Sequence, residues 1–105
     1  MEVNLTRDAQ KLVAAAYKEF LEKRKSGVDK ANAKFFSVNE LHAKYFGDFS
    51  IRDYKETVAE MSRALKCTMY MDGGFMLSDY AIVYMENRFK NGVIDTLSFL
   101  AQFIP

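Results

Sequence analysis

Several residue types on which small proteins often depend are scarce in this sequence of 105 residues. It contains one cysteine (Cys67), one histidine (His42), one proline (Pro105) and no tryptophan. A lone cysteine excludes a disulfide within the chain, and this favours a reducing compartment such as the cytoplasm. One histidine and one cysteine supply neither the ligand set of a zinc site nor the partners of a nucleophilic triad. We therefore predict no metal, no cofactor and no catalytic site, and we give His42 and Cys67 structural roles.

Long apolar runs and a strong net charge are also absent. The longest mostly apolar stretch, residues 93–104, is shorter than the roughly 20 residues that cross a bilayer. The N-terminus has no basic segment followed by an apolar one, so we expect no signal peptide. The net charge of +1 gives no general attraction to nucleic acid or to anionic membranes. Half of the residues are hydrophobic, which predicts one folded domain over residues 1–105, with its core in residues 6–90 and no membrane partner.

The sequence begins with an amphipathic pattern. Apolar residues recur at spacings of three and four, which predicts a helix over residues 6–25 with Thr6 as its N-cap. A polar loop is predicted for residues 26–34, and a short strand for residues 35–36.

Two further amphipathic helices are separated by a short turn. Ser37 and Glu40 have the spacing of a capping box before a short helix that ends at Gly47. Ser50 is the predicted N-cap of the next helix, over residues 51–66. Two helices joined in this way indicate a helix-turn-helix.

A hairpin and a long helix are predicted for the remainder. Two apolar runs around Asp72-Gly73-Gly74 indicate a β-hairpin over residues 68–77, the wing. Ser78 then begins a long helix over about residues 79–104, with Asn91-Gly92 as the point where it can bend or break. The predicted fold class is mainly α with a small β-hairpin (α+β), a winged helix-turn-helix with an extra long C-terminal helix.

Residues 77–87, LSDYAIVYMEN, resemble the passage L-[ST]-x-x-G-x-x-[YF]-[LM] that follows the wing in many bacterial winged-helix proteins. The chain resembles the YjcQ-type group of small winged-helix proteins from bacterial chromosomes and prophages and, more distantly, the multiple-antibiotic-resistance and PadR-type regulators. The resemblance covers residues 37–104, and Ala81 replaces the Gly of the pattern. For the first group it implies the fold. For the regulators it would imply DNA binding and dimerisation through terminal helices.

Basic residues lie along one face of the predicted helix 51–66, which is the helix that enters the major groove in a helix-turn-helix. We call the candidate nucleic-acid contacts Arg52, Lys55, Arg63 and Lys66 the basic stripe. Further candidate phosphate contacts are Lys23, Arg24, Lys25, Lys30 and Lys34. The alternative is that the stripe belongs to solvated pairs, Arg52 with Glu56 and Glu60 with Arg63.

The wing has no lysine or arginine, and Asp72 is its single charge. In a hairpin with a two-residue loop, Met69, Met71 and Met76 share one face. These methionines then either form an exposed, adaptable strip for a protein partner or cover the first helix.

The C-terminal helix is apolar almost all round, which predicts burial on more than one side. The predicted dimer interface consists of Val93, Ile94, Leu97, Leu100, Phe103 and Ile104. A dock entirely within the chain is the alternative, whereas the lack of basic residues disfavours a membrane-surface helix. Two functions follow as expectations: a dimeric winged-helix regulator that binds double-stranded DNA, without catalysis, or a winged-helix module for protein interactions.

Overall fold

Helices account for most of residues 3–103, the part of the chain that the computed structural model describes. The elements are α1 (Arg7–Lys25), α2 (Lys30–Lys34), β1 (Phe35–Phe36), α3 (Val38–Tyr45), α4 (Ile51–Leu65), β2 (Thr68–Met69), β3 (Phe75–Met76), α5 (Asp79–Arg88), α6 (Val93–Leu100) and a 3₁₀ turn (Ala101–Phe103). The prediction of a mainly helical protein with a small amount of β structure is confirmed.

Polar side chains begin three of the helices as the sequence predicted. Each accepts a hydrogen bond from the backbone N–H three residues further on, and they are Thr6, Ser50 and Ser78. The capping box at α3 was predicted wrongly. Ser37 precedes the helix but makes no side-chain cap bond, and Glu40 instead forms an ion pair with Lys23 at 2.6 Å.

The segment predicted as a polar loop contains the short helix α2. Alanines at positions 31 and 33 favour a helical turn, and Ala33 is fully buried against the core. This mostly polar segment therefore packs against the core through the small side chain of Ala33.

The strands form one antiparallel sheet with the order β1-β3-β2. The hairpin loop between β2 and β3 has three residues and not two, because Tyr70 N–H donates to the carbonyl of Gly74 at 2.8 Å. Gly73 has φ +95° and its N–H donates to the carbonyl of Tyr70 at 3.0 Å, as in a type I turn followed by a bulge.

The third loop residue changes which side chains share a face. Met69 lies opposite Phe75, and Thr68 lies opposite Met76. Met76 is therefore on the other face of the sheet from Met69, so the predicted common face of the three wing methionines was wrong.

The predicted long C-terminal helix is divided into α5 and α6. Phe89 leaves the helical region with ψ 79°, and Gly92 adopts φ 60° and ψ −116°, a conformation that L residues avoid. The chain turns here, and α6 packs back on α1.

The helix α1 is the centre of the core, and each of the helices α2 to α6 contacts it. Consecutive alanines at positions 14, 15 and 16 are fully buried and let neighbouring helices approach closely. Among residues 3–103, every helix is too short or too polar to cross a bilayer.

Candidate functional site

The basic stripe lies on the outer side of α4. Arg52, Arg63 and Lys66 are exposed and Lys55 is half-buried. Within residues 3–103, none of the four side chains takes part in an ion pair. The solvated pairs offered as the alternative, Arg52 with Glu56 and Glu60 with Arg63, are not among the contacts, and Glu60 instead accepts a hydrogen bond from the hydroxyl of Thr6. The four charges are therefore available to a ligand.

Neighbouring elements position both ends of the stripe. The hairpin loop lies against Lys55, because a Cβ at Gly73 would be 3.0 Å from both Cγ and Cε of that side chain. Lys66 ends α4 in the left-handed conformation, and its Nζ lies 4.6 Å from the centre of the Tyr80 ring on α5. Lys55 and Lys66 therefore contact neighbouring elements, whereas Arg52 and Arg63 are exposed.

Three of the further candidate contacts, Lys23, Lys30 and Lys34, differ from the stripe because they already have partners. Lys23 pairs with Glu40 and also donates to the carbonyl of Phe35 at 3.0 Å. Lys30 and Lys34 lie 3.6 and 3.1 Å from Asp79, and the hydrogen bond and charge of Lys34 lower the pKa of that exposed carboxyl group. Of the further candidate phosphate contacts, Arg24 and Lys25 are exposed at the end of α1.

An uncharged aromatic surface covers the outer face of the sheet. Phe35 and Tyr70 are each 40% exposed, and their ring centres lie 6.0 Å apart. Met71, at the hairpin tip, is fully exposed. We call Phe35, Tyr70 and Met71 the hairpin surface. The sequence pointed to methionines here but missed Phe35, because its place beside the hairpin depends on the pairing of β1 with β3.

The predicted dimer-interface residues divide between two sides of α6. Leu100 is buried within its own chain, which leaves little of it for a second chain. Ile94 and Leu97 are 71% and 47% exposed on the outer side, whereas Val93 and Phe103 are half-buried. Ile104 lies outside the described residues.

A groove of about 580 Å³ runs between α6 and the end of α3, and we call it the α6 groove. Its apolar lining is contributed by Tyr45, Leu97, Leu100, Ala101 and Phe103, and its charged lining by Lys11, Lys18, Lys44 and Asp48. Sequence reasoning missed this groove because its residues come from three separate segments, none of which has a recognisable motif.

A half-buried carboxylate organises the polar end of the groove. Glu19 accepts hydrogen bonds from Lys44 at 2.8 Å and from the hydroxyl of Tyr45 at 2.6 Å, and Lys18 lies 3.5 Å away. Burial by itself raises the pKa of Glu19, but these hydrogen bonds and the charges of Lys44 and Lys18 outweigh burial and lower it. Burial and the bond to Glu19 also raise the pKa of Tyr45 well above its ordinary value.

The lone histidine and cysteine have local partners. Nε2 of His42 is 2.8 Å from the carbonyl oxygen of Phe49, and its ring packs edge-on against Tyr54. Burial raises the pKa of the Cys67 thiol, which lies 3.7 Å from the Ser78 hydroxyl.

Within residues 3–103, no three His, Cys, Asp or Glu side chains form a group that holds a metal ion. The described chain thus presents three surfaces of distinct chemistry: the basic stripe, the hairpin surface and the α6 groove.

Comparisons of the sequence with protein-family models and with curated proteins, and of the structure with solved structures, find no significant match.

Proposed function

We propose that this chain is a DNA-binding winged-helix protein that sets the basic stripe of α4 against duplex DNA. One observation carries the proposal. Within residues 3–103, the four stripe side chains lie along one helix face outside ion pairs, whereas Lys18, Lys23, Lys30, Lys34 and Lys44 all have carboxylate partners. Cations that are not already neutralised can displace the counterions of DNA phosphates, and this displacement supplies most of the affinity.

The order of the elements supports the winged-helix part of the proposal. The helix α1 and the short helix α2 precede a strand (β1). Two helices joined by a short turn (α3 and α4) follow, then a hairpin (β2 and β3), and β1 pairs with β3. In a helix-turn-helix the second helix enters the major groove, which assigns that role to α4. This step is an analogy between folds, so the stripe and not the fold is the object of the test.

The hairpin limits how many phosphates the protein contacts. It carries no lysine or arginine, so we count the four members of the basic stripe as the phosphate contacts and not Arg24 and Lys25, which lie on another helix. With four contacts, the logarithm of the binding constant should fall with the logarithm of salt concentration at a slope of about −3.6. Affinity for random-sequence duplex should therefore fall about a hundredfold between ~50 and ~200 mM salt.

Fluorescence anisotropy with a labelled random-sequence duplex tests this expectation. The double substitution Arg52→Ala and Arg63→Ala should lower the magnitude of the salt slope by about two, one for each lost contact. Lys90→Ala, which removes one exposed charge on the α5–α6 connection, is the matched control and should leave the slope unchanged. Absence of binding at ~50 mM salt, or an equal loss with Lys90→Ala, would contradict the proposal.

We also propose that the protein acts as a homodimer through the outer side of α6. Ile94 and Leu97 are large apolar residues that lie next to each other on one side of the helix, and both are exposed. Exposed apolar surface of this kind is typical of a protein interface. A dimeric, DNA-binding regulator of bacterial or prophage origin is also the function that the sequence resemblance would imply.

A protein-interaction module is the second candidate function, and the hairpin surface favours it. An exposed aromatic pair beside a fully exposed methionine, without charge, has the composition of a protein contact. A photo-crosslinking amino acid in place of Met71 should yield one discrete crosslinked species in cell extract, and the same residue in place of Lys90 should yield none. Equal crosslinking from both positions would dismiss this candidate.

A further inference from the structure

We propose that the α6 groove binds a small amphipathic monocarboxylate, with its apolar chain along α6 and its carboxylate at Lys11. The inference is independent of DNA binding, because none of the stripe residues lines the groove. Three features of the groove lead to it: an apolar wall, one ammonium group that has no ion pair among the described residues, and a volume that fits a small molecule.

The apolar wall comes mainly from the last turns of the described chain. Leu97, Ala101 and Phe103 line one side of the groove, and Tyr45 lies across from them at the end of α3. Because α1 lies between α3 and α6, the groove has a floor as well as two walls. Such a concave, mostly apolar site with few polar groups is typical of small-molecule pockets.

The charges in the groove favour one anionic group on the ligand. Lys18 and Lys44 are already held by Glu19, and Lys18 also lies 3.3 Å from Glu22. Lys11, in contrast, forms no ion pair within residues 3–103. The remaining lining charge is the carboxylate of Asp48, which disfavours a multiply charged anion such as a nucleotide.

Lys11 is placed to bind an anion. Its side chain is half-buried, and its ammonium group lies 4.5 Å from the centre of the Phe46 ring and 5.7 Å from that of Phe103. The two rings restrict the side chain and remove part of its hydration, so a carboxylate that reaches it meets a partly desolvated, positioned cation.

The size of the groove fits a small molecule and not a macromolecular surface. The volume of about 580 Å³ falls within the ~300–1,000 Å³ of ligand pockets. Ile94, the more exposed of the two residues on the outer side of α6, does not line the groove, and Leu97 is shared by the two surfaces. A carboxylate with an unbranched chain matches both the apolar wall and the single available cation.

Isothermal titration of the full chain with octanoate, without DNA, tests the proposal. Octan-1-ol and octyltrimethylammonium have the same chain with no charge and with the opposite charge. We expect sub-millimolar binding of octanoate, weaker binding of the alcohol and none of the cation, and octanoate should shift the amide resonances of residues 97–103. Lys11→Met keeps the alkyl stem and should weaken octanoate binding about tenfold, the effect of one charge-assisted contact. Lys90→Met should change nothing.

Several outcomes would overturn the assignment. Octanoate that fails to bind, that binds Lys11→Met as tightly as the original chain, or that binds no better than octyltrimethylammonium rules it out. Octanoate that fails to bind even a monomer produced by Ile94→Glu also rules it out, because that substitution removes the dimer contact without changing a residue that lines the groove. DNA binding measured on the same preparations reports separately on the basic stripe.

Discussion

Whether a lysine of this protein is free for a ligand depends on residues far away in the sequence. Lys44 is held by Glu19 from another helix, and Lys34 by Asp79 from the start of α5. Lys11 and Lys55 are the same residue type, but neither has an ion-pair partner within residues 3–103. Counting charges along the sequence therefore overestimates how many basic side chains of the N-terminal third are free to bind a ligand. Lys23, for example, forms an ion pair with Glu40.

The Glu19 network should make stability depend on pH. The folded-state pKa of Glu19 lies below its ordinary value of 4.5, so its contribution is complete above that pH and is lost as pH falls through the lowered value. Glu19→Gln should therefore reduce the free energy of unfolding by about 1 kcal/mol at pH 7, because charge-assisted bonds from Lys44 and Tyr45 are weakened. Urea unfolding at pH 7 and at pH 3 measures the difference, which should be smaller at the lower pH.

Glu56→Gln is the control for this experiment, because Glu56 is exposed and has no ion pair within residues 3–103. Its effect should be small at both pH values. A cost of Glu19→Gln that stays the same at pH 3 would show that the network contributes through packing and not through the carboxylate charge.

At the scale of elements, the break between α5 and α6 depends on one glycine. Gly92 has φ 60° and ψ −116°, where a side chain is strained. We expect Gly92→Ala to lower the free energy of unfolding by about 1–3 kcal/mol. Hydrogen exchange of the α6 amides should accelerate with it, because the turn that docks α6 on α1 is lost.

Gly47→Ala is the matched control. Gly47 has no positive φ, and a Cβ there would meet the Ala43 carbonyl oxygen at an ordinary 3.7 Å. This substitution should leave stability within about 0.5 kcal/mol of the original protein. Equal losses at both glycines would mean that the backbone of Gly92 is not what separates α5 from α6.

Local signals predicted the elements, whereas long-range geometry decided the rest. Thr6, Ser50 and Ser78 were predictable as caps because a cap bond spans three residues. The hairpin loop was not, since the sequence around Gly73 suits a two-residue or a three-residue loop, and the choice reverses the faces of the sheet.

The same division applies to the candidate sites. The basic stripe was predictable because Arg52, Lys55 and Arg63 follow the period of one helix, and Lys66 comes directly after its last residue. The α6 groove was not, because Lys11 and Phe103 meet only after α6 has turned back on α1. A site within one element can be predicted from periodicity, and a site between elements requires the packing.

At the scale of the whole molecule, size bears on how a dimer would meet DNA. The described chain measures 32 × 30 × 27 Å. Recognition of successive major grooves on one side of DNA needs the two α4 helices about 34–36 Å apart, and the pairing surface sets that distance in a dimer. We propose that the two protomers pair through the outer side of α6.

Self-association through that surface should therefore be disrupted by one buried charge. Ile94→Glu changes a residue that is 71% exposed within one chain, so the protomer should fold normally. A charge there would be buried without a partner in the dimer, which should weaken dimerisation by several kcal/mol and yield monomers at micromolar concentration. Val83→Glu, at an exposed apolar position on α5, is the control and should leave the mass unchanged. Light scattering with circular dichroism separates loss of the dimer from loss of the fold, and an original chain that is monomeric at the same concentration would refute the α6 interface.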